Sequence, residues 1–147
     1  MDGQNRLKIA REGGFSYQIC LERNLSHLSA ALESCGLGGG KVCIVTDTHV
    51  GPLYAEGVER ALGDLFTAIT TFVMEAGEEN KQLSTVQALY THLINNNFER
   101  RDLLLALGGG VVGDLTGFAA ATYLRGIDFI QMPTTLLSQV DSSIGGK

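Results

Sequence analysis

Along most of the chain, short apolar runs alternate with stretches whose apolar residues recur every three or four positions. Residues 14–22, GFSYQICLE, alternate, so Phe15, Tyr17, Ile19 and Leu21 share one face of a half-buried strand. NLSHLSAALESCG reads as a helix that Asn24 or Ser26 can cap and that Gly36 can end in the left-handed conformation. KVCIVTD, 41–47, is a β-branched buried strand, and Pro52 suits the first turn of a helix running to Gly63. FTAITTFVM is another strand, with Ile69, Thr71 and Val73 on one side. Leu83, Val86, Tyr90, Leu93 and Ile94 then recur at helical spacing. DLLLALGGG is apolar on both faces, as in a central strand of a parallel sheet. The pattern turns helical again from Val111 to Arg125. IDFIQM is a last strand, and TTLLSQVD after Pro133 a short helix.

Strand and helix in strict alternation predict an α/β fold, with parallel strands joined by helical crossovers. In such sheets ligands bind beyond the carboxyl ends of the strands. The residues to watch therefore follow each strand: Asp47, Gly77 to Lys81, Gly108 to Asp114, and Thr134 with Thr135. The closing DSSIGGK is rich in turn residues and reads as a junction between domains of something longer.

Composition narrows the class. The chain has 147 residues, 44% of them hydrophobic, enough for one domain with its own core. A net charge of −5 without a basic run argues against a nucleic-acid groove. Neither a signal-peptide pattern nor an apolar run long enough to span a membrane is present, which points to a cytoplasmic protein. Cys20, Cys35 and Cys43 fit neither a disulfide framework nor a zinc site. Each is expected to be a reduced, buried small hydrophobe.

The stretch LLLALGGGVVGDLTGF carries the strongest chemical signal. Its glycines serve either a tight strand-to-helix turn or a loop that lets a phosphate reach backbone N–H groups at a helix start. It is neither the G-x-G-x-x-G dinucleotide fingerprint nor a P-loop. Asp114 alone reads as a first-turn acid. From Asp102 to Lys147 only six residues are charged, and charges so sparse tend to be paired or to face a ligand. GEENK reads as a solvated helix start, Thr134 and Thr135 as caps, and Arg125 as a helix-end cation. His27, His49 and His92 lack metal spacing, and only His49 follows a strand end.

Taken together, VTDTHVGPLY, GEENK and ALGGGVVGDLTGFAAATYLRGIDFIQMPTTLLSQVDSSIGGK resemble the 3-dehydroquinate synthase family. The resemblance implies that residues 1–147 form an N-terminal, Rossmann-like NAD-binding domain, a parallel sheet with helices on both faces. A helical C-terminal domain would follow, with the active site in the cleft between them. It implies Asp47 and His49 near the adenosine of NAD, with His49 standing where the family commonly has Asn. Gly77, Glu78 and Lys81 would bind a ribose, and Gly109, Gly110, Val111, Gly113 and Asp114 would wrap the pyrophosphate and nicotinamide ribose. Thr134 and Thr135 would add hydroxyl contacts. Asp141 and Lys147 would face substrate, Lys147 beside the cofactor as well, while Arg125 would bind the substrate phosphate in a neighbouring subunit's site. The divalent metal, zinc or cobalt, would be held by residues outside this chain.

The implied reaction converts 3-deoxy-D-arabino-heptulosonate 7-phosphate into 3-dehydroquinate and phosphate, in the shikimate pathway of aromatic amino acid biosynthesis. It runs through a transient oxidation, a β-elimination, a reduction and an aldol closure. A homodimer is implied for the full-length protein, and the isolated chain is expected to be inactive. The alternatives are another sugar-phosphate cyclase, a metal-dependent alcohol or glycerol dehydrogenase, and a standalone nucleotide-binding module.

Overall fold

A computed structural model describes residues 6–10, 12–14 and 16–144. Two strands occupy the centre of the sheet. In β3 (Lys41–Asp47) residues 42 to 46 are all buried, and in β5 (Leu103–Gly108) every residue is. Such runs can only sit between two covered faces. With β4 (Ala68–Met74) and β6 (Asp128–Pro133) they form a four-stranded parallel sheet in the order β4-β3-β5-β6. The edge strands are less buried, as their mixed sequences require.

Strand alternation sends the two sets of side chains to opposite layers. Val42, Ile44, Leu103, Leu105 and Leu107 pack with Leu32 of α1 (Leu28–Ser34) and with Val58 and Leu62 of α2 (Gly51–Leu62). Cys43, Val45, Leu104 and Ala106 pack with Val86, Leu89 and Leu93 of α3 (Leu83–Asn95) and with Val112, Leu115 and Ala119 of α4 (Gly110–Thr122). The expected α/β sheet with helices on both faces is therefore what the chain adopts.

Several local expectations change. The first strand is shorter than expected, Ser16–Cys20 (β2), with Tyr17 and Ile19 half-buried and Leu21 beyond its end and exposed. Phe15 lies outside the described residues. Its antiparallel partner β1 (Arg6–Ala10) was hidden in a charged stretch, where Leu7 and Ile9 alternate with Arg6 and Lys8. Asn24 does not cap α1. Its Oδ1 accepts the Ser26 N–H at 3.0 Å and closes a turn ahead of the helix, while Gly36 ends α1 with φ +74° as expected.

In α3 the buried stripe is Val86, Leu89 and Leu93, with Tyr90 beside it. Leu83, in the first turn, and Ile94, one residue past the stripe, are exposed. Helix α4 stops at Thr122, before Arg125, because Leu124 and Arg125 take positive φ. Of the cysteines only Cys43 is buried, and burial pushes its thiol up to about 11. Cys20 is on the outward face of β2 and Cys35 at the open end of α1, so both are exposed.

Candidate functional site

From β3 the chain steps through α2 to β4 on one side, then through α3 to β5 on the other side of β3. The direction reverses between β3 and β5, and the crevice at their carboxyl ends is where open α/β sheets take ligands. Two candidate segments flank it, Asp47 to Val50 after β3 and Gly108 to Gly110 after β5.

The glycines after β5 do not serve a left-handed turn. Neither Gly108, Gly109, Gly110 nor Gly113 has positive φ, and Gly109 is extended at φ −80°, ψ −165°. They serve clearance. A Cβ on Gly108 would lie 2.7 Å from the Val112 Cβ, and one on Gly113 would lie 2.6 Å from the Gln131 Oε1. Cβ atoms on Gly109 and Gly110 would lie 3.3 Å from the Thr135 Cγ2 and 3.1 Å from the Ser142 Oγ. The 134–142 segment thus lies over the start of α4, and glycine lets the two come this close.

The N-terminus of α4 carries no side-chain cap, and its first intrahelical bond runs from the Gly113 N–H to the Gly109 carbonyl at 3.1 Å. The N–H groups of Gly110, Val111 and Val112 precede that bond and have no partner one turn back. Above them, the Thr134 N–H donates to the Gly108 carbonyl at 2.9 Å, and the Thr134 Oγ1 is buried without a hydrogen-bond partner. Free N–H groups, glycine clearance and an orphaned hydroxyl fit the diphosphate of a nucleotide.

Lys81 and Asp114, 33 residues apart, meet beside this helix start. The Lys81 Nζ lies 2.8 Å from the Asp114 Oδ2 and 3.4 Å from the Glu78 Oε1. The Asp114 hydrogen bond, more than any other influence, holds the Lys81 ammonium above its ordinary value. Asp114 stands in the second turn of α4 rather than the first, so it is placed by its pairing rather than by the helix terminus. Gly77 has φ +118°, which only glycine adopts freely, and it turns the chain from β4 into the short turn Glu78–Asn80. An open cleft of about 350 Å³ continues from the pair between Val86 of α3 and Phe118 of α4.

Other expected site residues are placed less directly. The Asp47 Oδ1 accepts the N–H groups of His49 at 2.9 Å and Val50 at 2.8 Å, so one carboxylate oxygen is committed to the approach to α2. His49 itself is exposed. The Thr135 and Ser138 hydroxyls bond each other at 2.8 Å, which ties up both. Asp141 is exposed in a π-helical turn, Ser138–Ser142. Lys147 lies outside the described residues.

Arg125 is exposed and follows α4, whose 13 residues put it about 20 Å from the glycine loop, at the other end of the sheet. Among the described residues no group of three or more His, Cys, Asp or Glu could hold a metal ion, and no helix is long and apolar enough to cross a membrane. Ser138 and Ser142 escaped the sequence reading. Their only signal was two small polar residues four apart in the polar run SQVDSS.

The family described as 3-dehydroquinate synthase N-terminal matches residues 71–147. The 3-dehydroquinate synthase of Shewanella piezotolerans is 55% identical over 135 residues, covering 92% of this chain and 37% of that protein. The chain thus spans about a third of the length of the curated relatives it matches. Among solved structures, a 2-deoxy-scyllo-inosose synthase complexed with carbaglucose-6-phosphate, NAD+ and Co2+ superposes with a TM-score of 0.83 at 27% identity, covering 93% of this chain and 37% of that one. ValA, a 2-epi-5-epi-valiolone synthase from Streptomyces hygroscopicus with NAD+ and Zn2+ bound, superposes at 0.76 with 28% identity, over 95% of this chain and 38% of that one.

Proposed function

The chain belongs to the 3-dehydroquinate synthase family, and on that premise we propose that it is the NAD-binding part of a 3-dehydroquinate synthase. The observation that carries the reading is the start of α4. Uncapped N–H groups, glycine clearance and the buried Thr134 hydroxyl meet there at the sheet's reversal point. Gly109, Gly110 and Val111 would hold the diphosphate through their backbone. Thr134 would donate its hydroxyl to it, and the Lys81–Asp114 pair would hold a ribose, Asp114 accepting a hydroxyl while Lys81 limits its negative charge. Gly113 lets α4 pack against β6, and Gly77 shapes the loop that carries Glu78 and Lys81. Asp47, with one carboxylate oxygen left after its backbone bonds, and His49 would meet the adenosine end. Thr135 would shape the loop over the glycines.

Held there, NAD would supply a reversible hydride acceptor, so that the overall reaction would have no net redox change. Asp141, exposed beside the glycine loop, and Lys147 would face a sugar phosphate. Arg125 cannot reach its own glycine loop across about 20 Å of helix, so it would clamp the phosphate in a second copy, with its guanidinium fork matched to phosphate oxygens. That reading makes the working protein a homodimer. A divalent metal, zinc or cobalt as in the two solved relatives, would be held by residues beyond these and would supply a Lewis acid for the substrate oxygen. A further domain would then complete the active site, and the 147 residues alone would not turn over.

Calorimetric titration of the purified chain tests the first half. One NAD is expected to bind per chain, and NAD at 100 times its Kd is expected to stabilise the fold by about 2.7 kcal/mol. Absence of binding overturns the reading. Phosphate release from 3-deoxy-D-arabino-heptulosonate 7-phosphate tests the second half, and none is expected from the chain alone.

A further inference from the structure

The segment Thr134–Ser142 closes over the glycine loop, and the side chains of Thr135, Ser138 and Gln139 are already engaged. The Thr135 and Ser138 side chains bond each other at 2.8 Å. The Ser138 Oγ also meets the Thr135 N–H at 3.2 Å, and the Thr135 Oγ1 accepts the Ser138 N–H at 3.2 Å. This reciprocal box locks the entrance to the following turn. Beyond it the chain leaves α-helical winding, with the Gln139 N–H on the Thr135 carbonyl four residues back and the Ser143 N–H on the Ser138 carbonyl five back, at 2.9 Å. A π turn is rare and recurs at functional sites, where it re-aims the side chains that follow.

Ser142 is the side chain re-aimed here. Its Oγ would lie 3.1 Å from a Cβ on Gly110, the first residue of α4, so the hydroxyl stands directly against the uncapped helix start. The residue is half-buried and, among the described residues, its hydroxyl makes no hydrogen bond. Ser142 does not cap α4 in the ordinary way, because it arrives from a different segment and no side-chain cap bond forms.

Resting on the reading of this loop as a nucleotide site, we propose that Ser142 is a further diphosphate-binding residue, held by the π turn against Gly110 so that its hydroxyl donates to a diphosphate oxygen. The Ser142 hydroxyl and the orphaned Thr134 hydroxyl then approach the same anion from the two ends of one segment. The Thr135–Ser138 box is the clasp that fixes their separation. Asp141, next to Ser142, is carried into position by the same turn.

The test uses the 147-residue chain, titrated calorimetrically with NAD, ADP and adenosine, with thermal unfolding followed in parallel. Loss of one hydrogen bond to a charged group is expected to weaken NAD and ADP about tenfold in Ser142→Ala. Adenosine, which has no phosphate, is expected to bind Ser142→Ala as it binds the unaltered chain. Ser142→Thr, which keeps the hydroxyl, is expected to restore most of the lost affinity. Equal NAD and ADP affinity in the unaltered chain and Ser142→Ala overturns the assignment and leaves the nucleotide reading standing. Equal weakening of NAD, ADP and adenosine, with a lowered unfolding midpoint, also overturns it, because Ser142 would then only support the loop. Failure of the unaltered chain to bind NAD or ADP overturns the nucleotide reading itself, and the assignment with it.

Discussion

At the scale of single residues, the consequences follow from who satisfies whom. Asp102 is 6% exposed, and its carboxylate accepts the N–H groups of Lys41 at 2.7 Å and Glu99 at 2.6 Å. Asp102→Ala leaves both donors without their acceptor, and a loss of about 3 kcal/mol is expected in urea unfolding. The Thr134 Oγ1 is the opposite case, a buried hydroxyl with no partner. Thr134→Val keeps its shape and removes the orphan, so the ligand-free chain is expected to unfold at the same or a higher temperature. The same variant is expected to bind NAD about fivefold more weakly, the equivalent of about 1 kcal/mol. A variant that loses stability and keeps its NAD affinity contradicts the role given to Thr134. Thr134 stands out in sequence because it follows the last strand, whereas Asp102 and Ser142 look like ordinary turn residues until their neighbours are known.

At the scale of elements, the seam between α3 and the edge strand β4 carries a pH dependence. The His92 Nε2 lies 3.2 Å from the Thr70 Oγ1, and its ring packs edge-on against Phe72 at 5.6 Å. Burial there lowers the imidazole below its ordinary 6.5. The unfolded chain therefore takes up the proton first as pH falls. The contribution of this seam is full above about pH 6.5 and is lost progressively as pH falls toward the folded-state value. Urea midpoints between pH 7.5 and 5 are expected to fall less steeply for His92→Gln than for the unaltered chain. A second element-level expectation concerns α4, where Gly108→Ala drives a Cβ to within 2.7 Å of the branched Val112 side chain. A destabilisation of about 1–3 kcal/mol is expected, with weaker NAD binding, because the helix start must shift. Elements as such were legible. β3, β5 and α2 announce themselves by β-branched runs, unbroken apolar stretches and a proline at a helix start. Boundaries were less so: α3 buries Leu89 and leaves Leu83 in solvent, a choice made by where the helix begins relative to the end of the sheet.

At the scale of the whole molecule, the two ends of α4 do different things. The glycine loop faces the ligand crevice, while Arg125 projects from the opposite end on a turn in which Leu124, Arg125 and Gly126 all have positive φ, at 48°, 67° and 114°. Two of the three are not glycine, and such a backbone persists only where surrounding contacts impose it. Here Tyr123, 7% exposed, donates its hydroxyl to the Phe98 carbonyl at 2.9 Å, and the Ile127 N–H returns to the Ala120 carbonyl. Arg125→Ala is accordingly expected to leave the chain's NAD affinity unchanged within a factor of two by calorimetry. A larger loss means that the two ends of α4 communicate, and the assignment of Arg125 to a second copy's site then fails.

The sequence alone determined the α/β class and the glycine loop as a place to look, because hydrophobic periodicity and glycine clusters are local signals. The resemblance to a synthase family rests on its longest unbroken motif, which is also linear. Only the tertiary structure decided that the loop's glycines provide clearance rather than a left-handed turn, since Gln131 of β6 and Thr135 and Ser142 of the following segment are brought against Gly113, Gly109 and Gly110. It alone joined Lys81 to Asp114 across 33 residues, separated Arg125 from the loop, and exposed Cys20 and Cys35. Each of these is a relation between segments distant in sequence, and packing around a shared sheet is what brings such segments together or keeps them apart.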